Sequence, residues 1–371
     1  MEFVKLEDCC EILDSKRIPV TANKRRNGKY PYYGANGLQD YVDDYIFDDE
    51  LVLLAEDGGN FNSKDKPIAY RVSGKCWVNN HAHVLKPKQG ISVDYLCYAL
   101  MYYDVSGLVN GATRQKLTQA TMRKMKIPIL SEIDQLRIVE IMNSIQELKN
   151  DYRSILHKLD VLIKARFIEM FGDPQINQFN WNMVNISKII KGKVSNGYFA
   201  KRDEYCEDGN VKVLGVANIV NRMYSNVKDL PRTNANKKDI SKFKVQYGDM
   251  LFCRSSLVAE GIGKASIIPK DVADDILFEC HVIRLPLDLN QCVPEFIQVL
   301  STTEYFRNQV IAQSKTATMT TIGQDGILKT NIILPPIYKQ KEFELFVRQV
   351  DKSRFDIKKN IIELEREVVY D

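Results

Sequence analysis

Three clusters of side chains in this chain have the types and spacing that chemistry could use. Cys76, His81 and His83 bring a thiolate and two imidazoles within eight residues, the donor types of a zinc site. Alternation along a strand would put the two histidines on one face. The other cysteines, Cys9, Cys10, Cys97, Cys206, Cys253, Cys280 and Cys292, form no C-x-x-C pair and match neither a zinc ribbon nor a disulfide framework, so strand histidines and no metal are expected. Residues 260–264, E-G-I-G-K, have the flavour of a phosphate loop but lack the G-x-x-x-x-G-K-[ST] spacing, and read as a turn between strands. The third cluster, K-R-R-N-G-K at residues 24–29, sets four cations in six residues.

That basic loop suits a phosphate backbone. Lys24, Arg25, Arg26 and Lys29 can neutralise phosphates, while Asn27, Tyr32 and Asn36 offer amide and phenol groups to base edges. The second half of the chain holds comparable candidates in Asn196, Tyr198, Lys201, Asn218, Arg222, Arg254 and Ser255, with Lys315 and Thr318 corresponding to the stretch that ends at Arg114. One segment opposes this reading. Between Asp40 and Asp57 stand eight acidic residues and no Lys or Arg, a strip expected to face away from nucleic acid, towards solvent or a basic partner.

No G-x-S-x-G, H-E-x-x-H or dinucleotide fingerprint occurs, nor the N-P-P-[FY] or D-P-P-[FY] tetrapeptide with which amino-methyltransferases hold a flipped base. By subtraction the chain is expected to bind rather than catalyse, with no cofactor of its own. Its 371 residues and 44% hydrophobic content can build more than one core, and no apolar run is long enough for a membrane span. A cytoplasmic protein is expected. The formal net charge of +4 identifies no partner by itself, because DNA affinity comes from local patches.

The elements that must position these residues are repeated. Residues 112–159 superimpose without gaps on residues 317–364, a shift of 205, matching Ala112 with Ala317, Thr113 with Thr318, Gln119 with Gln324 and Gln135 with Gln340. Weaker echoes lie upstream, where H-V-L-K at 83–86 resembles H-V-I-R at 281–284. After Gln135 the apolar residues Ile138, Ile141, Ile145, Leu148, Tyr152, Ile155, Leu159 and Leu162 alternate steps of three and four, a coiled-coil pattern. The helix should stop at Gly172-Asp173-Pro174, and about 35 helical residues would span roughly 50 Å. A second helix carries Phe343, Phe346, Val350, Ile357, Ile361 and Leu364. The expected architecture is therefore α/β (α+β): mixed heads at residues 1–132 and 173–336, and long helices at 133–172 and 337–371 that pair as an antiparallel coiled coil, giving a pseudo-two-fold molecule. Within the heads, 50–55, 68–72, 211–216, 249–253 and 280–285 read as strands, and 93–103 and 294–312 as helices.

This layout, the helix entries I-P-I-L at 127–130 and I-I-L-P-P at 332–336, and the run F-I-E-M-F-G-D-P at 167–174 together resemble the specificity subunit of type I restriction-modification systems. The resemblance covers the whole chain. It implies a non-catalytic reader of double-stranded DNA with two target-recognition domains, each reading half of a bipartite sequence. It further implies two modification subunits that carry S-adenosylmethionine and methylate adenine, and restriction subunits that cleave. Modification subunits would dock on the exposed helix faces and the acidic strip. A helical spacer of this length suits contacts about one DNA turn apart, roughly 34 Å. Two other readings stay open: a coiled-coil scaffolding protein whose heads bind protein, and the recognition module of a single-chain restriction-methylation enzyme.

Overall fold

The computed structural model describes residues 2–63, 66–111, 115–272, 275–316 and 319–370, the last six of these by their backbone alone. Two units emerge, Met1–Arg153 with Lys359–Asp371, and Ser154–Lys358, so the division falls inside both long helices.

In the first unit, strand Phe47–Ala55 organises a six-stranded sheet. Its outer half alternates, but residues 51–55 are an unbroken apolar run with both faces covered, the pattern of a central strand. Val52 and Leu54 join Leu6, Leu85, Leu96 and Leu100 in one core, while Leu51 and Leu53 join Leu13, Val72 and Val84 in another. The sheet order runs Cys10–Ile12, Ala82–Pro87, Phe47–Ala55, Ala69–Val78, Tyr30–Gly34, Gly37–Val42, antiparallel except where Tyr30–Gly34 meets Ala69–Val78. Strand Glu2–Lys5 pairs separately with Lys126–Ile129.

The second unit repeats the first four of those strands in the same order: Ser195–Asn196, Val282–Pro286, Asp249–Cys253 and Ala265–Ile267, all antiparallel. It also repeats the separate pair, as Asn182–Asn185 with Asn331–Leu334. The duplication thus extends from the helices into the heads, with two adjustments. The 294–312 segment is two helices, Pro294–Thr302 and Glu304–Ala312, because Thr303 is extended and caps the second by accepting from Phe306 N. The histidine echo is shifted by two: Ala82 pairs with Ala55 and Val282 with Cys253, so the residue equivalent to His281 is His81, and His83 lies inside the strand.

Each head is tied to its long helix by a buried glutamine. Gln135 accepts from Ser92 N (2.8 Å), at the N-cap of helix Val93–Met101, and donates to Gly90 O and Leu130 O (2.9 and 3.1 Å). Gln340 accepts from Val293 N (2.9 Å), at the N-cap of helix Pro294–Thr302, and donates to Pro335 O (2.7 Å). Ser131 caps the first long helix, Glu132–Phe171, through Asp134 N. The helix ends where Gly172 takes φ +75°, a left-handed residue that costs glycine little.

Where the helices meet they run antiparallel: Arg166 lies by Glu342 and Asp160 by Arg354 in the second unit, and Tyr152 by Asn360 in the first. Phe167 and Phe171 close against Phe296 and Phe343, with ring centroids 4.8–5.7 Å apart, which gives the F-x-x-x-F pair its role. On Ile337–Tyr370 the expected seam residues Phe343, Phe346, Val350, Ile357, Ile361 and Leu364 are buried or half-buried. On Glu132–Phe171 the phase differs. Ile138, Ile145, Tyr152 and Leu159 are half-buried, but Ile141, Leu148, Ile155 and Leu162 are 60%, 44%, 39% and 46% exposed. The buried or half-buried line is instead Gln135, Met142, Lys149, Leu156, Ile163 and Met170, one residue further on. Heptad spacing sets a period but not a rotation, and the anchors at Gln135 and Phe167 choose the face. Among the described residues no helix is long and apolar enough to cross a membrane.

Burial sorts the helix residues by expected cost. Phe167→Ala should lower unfolding free energy by about 3–5 kcal/mol in urea titrations, and Ile155→Ser by no more than about 0.5 kcal/mol.

Candidate nucleic-acid interface

The duplicated strands deliver the same construction to one edge of each head. In the first, strand Phe47–Ala55 continues into Glu56 and Asp57, whose amides donate to His81 O (2.8 and 3.4 Å). Leu117 N returns to Glu56 O (2.7 Å), Asp57 bridges Lys116, and Lys116 bridges Asn110. In the second, Asp249–Cys253 continues into Arg254, whose amide donates to His281 O (2.9 Å), and Ile322 N returns to Arg254 O (3.0 Å). Ser255 pairs with Thr321, and Thr321 with Lys315. Each head therefore sets the two arms of a hairpin, Asn110 and Lys116 or Lys315–Thr316 and Thr320–Thr321, beside the strand end and its histidine. His81 Nδ1 lies 2.6 Å from Asp57 Oδ1, and His281 Nδ1 lies 3.2 Å from Ser255 Oγ.

Several candidates in the second head converge on this edge. Gly197 N donates to Val282 O and Tyr198 N to Phe278 O, which places Asn196 and Tyr198 on one side of the 279–281 turn and Arg254 and Ser255 on the other. Arg254 reaches Cys280 O (3.2 Å), and Lys315 is exposed. Lys201 is exposed two residues beyond Phe199, itself 67% exposed. Asn218 serves locally, accepting from Gly215 N (3.0 Å), and Arg222 bonds its own turn at Val220 O. Arg114 and Thr318 lie outside the described residues. The E-G-I-G-K segment is the expected strand-connecting turn, with Ile262 buried and Gly263 N bonded to Cys253 O.

In the first head the basic loop is only partly a phosphate surface. Tyr32 is 1% exposed, and its hydroxyl bonds Val20 N and O (3.1 and 3.2 Å), so it belongs to the core and not to a base-reading surface. Arg25 stacks over the Tyr32 ring at 4.3 Å, donates to Val20 O and meets Asp40 at 3.2 Å. Arg26 is 3.9 Å from Asp43, Lys29 lies 5.3 Å from the Tyr30 ring centre, and Asn36 donates to Gly58 O. Lys24 and Asn27 are exposed. The acidic strip is corrected with it. Asp49 meets Lys86, Glu50 meets Arg71, and Glu56 meets Arg17 and Lys116, so much of the strip is paired with cations of its own head and is no free docking surface. Strand pairing places Lys86 and Arg71 beside acids that sequence distance separates.

Beneath this edge, Asp14, Glu56 and His83 form the one metal-type cluster found among the described residues; Cys76 and His81 have no part in it. Its ligand atoms are already engaged. His83 donates Nε2 to Leu117 O (2.9 Å) and sets Nδ1 2.6 Å from Asp14, while Gln119 donates to Asp14 and Arg17 lies against both carboxylates. Burial pushes the Asp14 carboxyl up, but hydrogen bonds from His83, Val84 N and Gln119 outweigh it and hold the group below its ordinary value. The cluster ties the hairpin's return at Leu117 to the sheet.

A family model for the type I restriction modification DNA specificity domain matches residues 1–158 and 179–366. The chain belongs to this family, the DNA specificity subunits of type I restriction-modification systems. A Haemophilus influenzae protein named as such a subunit, S.HindORF215P, is 35% identical over 151 residues, 41% of this chain and 39% of that one. The EcoKI specificity subunit of Escherichia coli K12 is 21% identical over 96% of this chain and 80% of its own length. The fold matches the type I S subunit from M. genitalium with TM-score 0.50 and 11% identity, over 99% of this chain and 93% of that one.

Two outcomes follow from the packing. Arg25→Ala should destabilise the protein by about 1 kcal/mol through its lost contacts, whereas Lys24→Ala should leave thermal melting unchanged and lower the salt slope of DNA binding by about one. Because Asp14 is depressed, its contribution is present above the ordinary carboxylate value of 3.8 and is lost as pH falls through its lower folded value. Denaturant titrations at stepped acidic pH should show that loss in the native chain and not in Asp14→Asn.

Proposed function

We propose that this chain reads a bipartite double-stranded DNA target, one half per head, and itself performs no catalysis. The observation that carries the reading is the repeated edge, where the same hairpin, strand end and histidine recur with different side chains around them. A duplicated scaffold with divergent edge chemistry suits two different half-sites.

The exposed line Ile141, Leu148, Ile155 and Leu162 supports a protein partner, since an apolar stripe at seven-residue spacing is the complement of another helix. We assign that line to modification subunits, two per complex, which would bind S-adenosylmethionine and methylate adenine, with restriction subunits joining the assembly. A DNA target supports a cytoplasmic location for the complex. The scaffolding reading lacks an account of the duplicated edge.

Co-expression with a modification subunit, purification of the complex, and mapping of methylated adenines by single-molecule sequencing test the reading. A two-part motif that depends on this chain is expected. The triple variant Ile141→Ser, Leu148→Ser, Ile155→Ser should abolish copurification while the isolated chain keeps its melting temperature. Copurification that persists would overturn the docking assignment.

A further inference from the structure

The two edges are equivalent in backbone and opposite in chemistry. Glu56 and Arg254 occupy the same place, each taking on its carbonyl the amide of the residue that follows the hairpin, Leu117 or Ile322, and giving its own amide to the histidine carbonyl. The next residue, Asp57 or Ser255, faces the side chain of that histidine and pairs with the hairpin. The first head therefore puts two carboxylates where the second puts a guanidinium and a hydroxyl. Glu56 is paired with Arg17 and Lys116, and Asp57, held 2.6 Å from a half-exposed His81, is the carboxylate that follows it along that edge.

In the second head, residues directly opposite one another in an antiparallel ladder share a face. Ser255, Thr321 and Lys315 thus form a row of donors continued by His281, and Thr321, Lys315 and His281 are all exposed. A carboxylate accepts only, and in a major groove it selects the exocyclic amines of cytosine or adenine; an ammonium donates only and selects guanine O6 and N7 or thymine O4, with the neighbouring hydroxyls able to serve either way.

We propose that Asp57 with His81 in the first head, and Ser255 with His281, Thr321 and Lys315 in the second, are the equivalent base-reading rows that set one position in each half of the target. This rests on the DNA-reading function proposed above. The first row takes an amino-bearing base edge, and the second takes an acceptor-bearing one.

The test uses the full complex with its modification subunit and single-molecule methylation mapping of four chains: native, Asp57→Asn, Ser255→Ala and Lys315→Ala. Asp57→Asn should relax one position of one half-site, lowering discrimination there on the order of tenfold, and leave the other half untouched. Ser255→Ala and Lys315→Ala should do the same to the other half only. Thermal melting and copurification establish folding, and the two second-head variants, at outward positions, carry the test if Asp57→Asn does not fold. An unchanged motif at normal methylation in the folded variants overturns the assignment. A uniform fall in methylation with the motif intact also overturns it, since that marks phosphate contact. If the native complex yields no motif, the DNA-reading function itself fails, a result distinguishable from failure of the rows.

Discussion

The structure depends on two buried amides. Gln135 and Gln340 each sit one turn into a long helix, close the N-terminus of the head's helix and hold the carbonyl five residues back. Leaving such buried partners unsatisfied costs about 1–3 kcal/mol each, so each head has a fixed rotation about its helix. The effect propagates along Glu132–Phe171. Once Gln135 is turned inward, residues at multiples of seven from it, Met142, Lys149, Leu156, Ile163 and Met170, follow it. The more apolar line beginning at Ile141 is left outside. Phe167 and Phe171, locked against Phe296 and Phe343, hold the same phase at the other end of the helix.

Duplication separates what the scaffold requires from what the surface can vary. Four strands, their order and their antiparallel pairings recur in both units, as does the hairpin that returns to the carbonyl of Glu56 or Arg254. Those features are main-chain hydrogen bonds, indifferent to side-chain identity. The outward side chains carry no such constraint, and they have diverged from carboxylate to guanidinium and hydroxyl. One backbone thus presents two chemistries.

Charge follows the same logic in the first head. Arg25 and Arg26 meet Asp40 and Asp43 because Tyr30–Gly34 and Gly37–Val42 pair in a hairpin, and Lys86 and Arg71 meet Asp49 and Glu50 across neighbouring strands. A basic run and an acidic run that look like separate surfaces in one dimension partly cancel in three.

The sequence by itself determined the duplication, the length and stop of the first long helix, the presence of a second long helix and the family. Each of these rests on local signals: a shift of 205 residues, heptad spacing, a glycine before proline, and the F-x-x-x-F-G-D-P run. Only the tertiary structure decided the phase of the first seam, the burial of Tyr32, the partial neutralisation of the acidic strip and the equivalence of His81, not His83, with His281. The reason is common to all four. Periodicity along a chain fixes which residues recur together, but the face they share, the partners they meet and the strand register they adopt come from contacts between segments far apart in sequence.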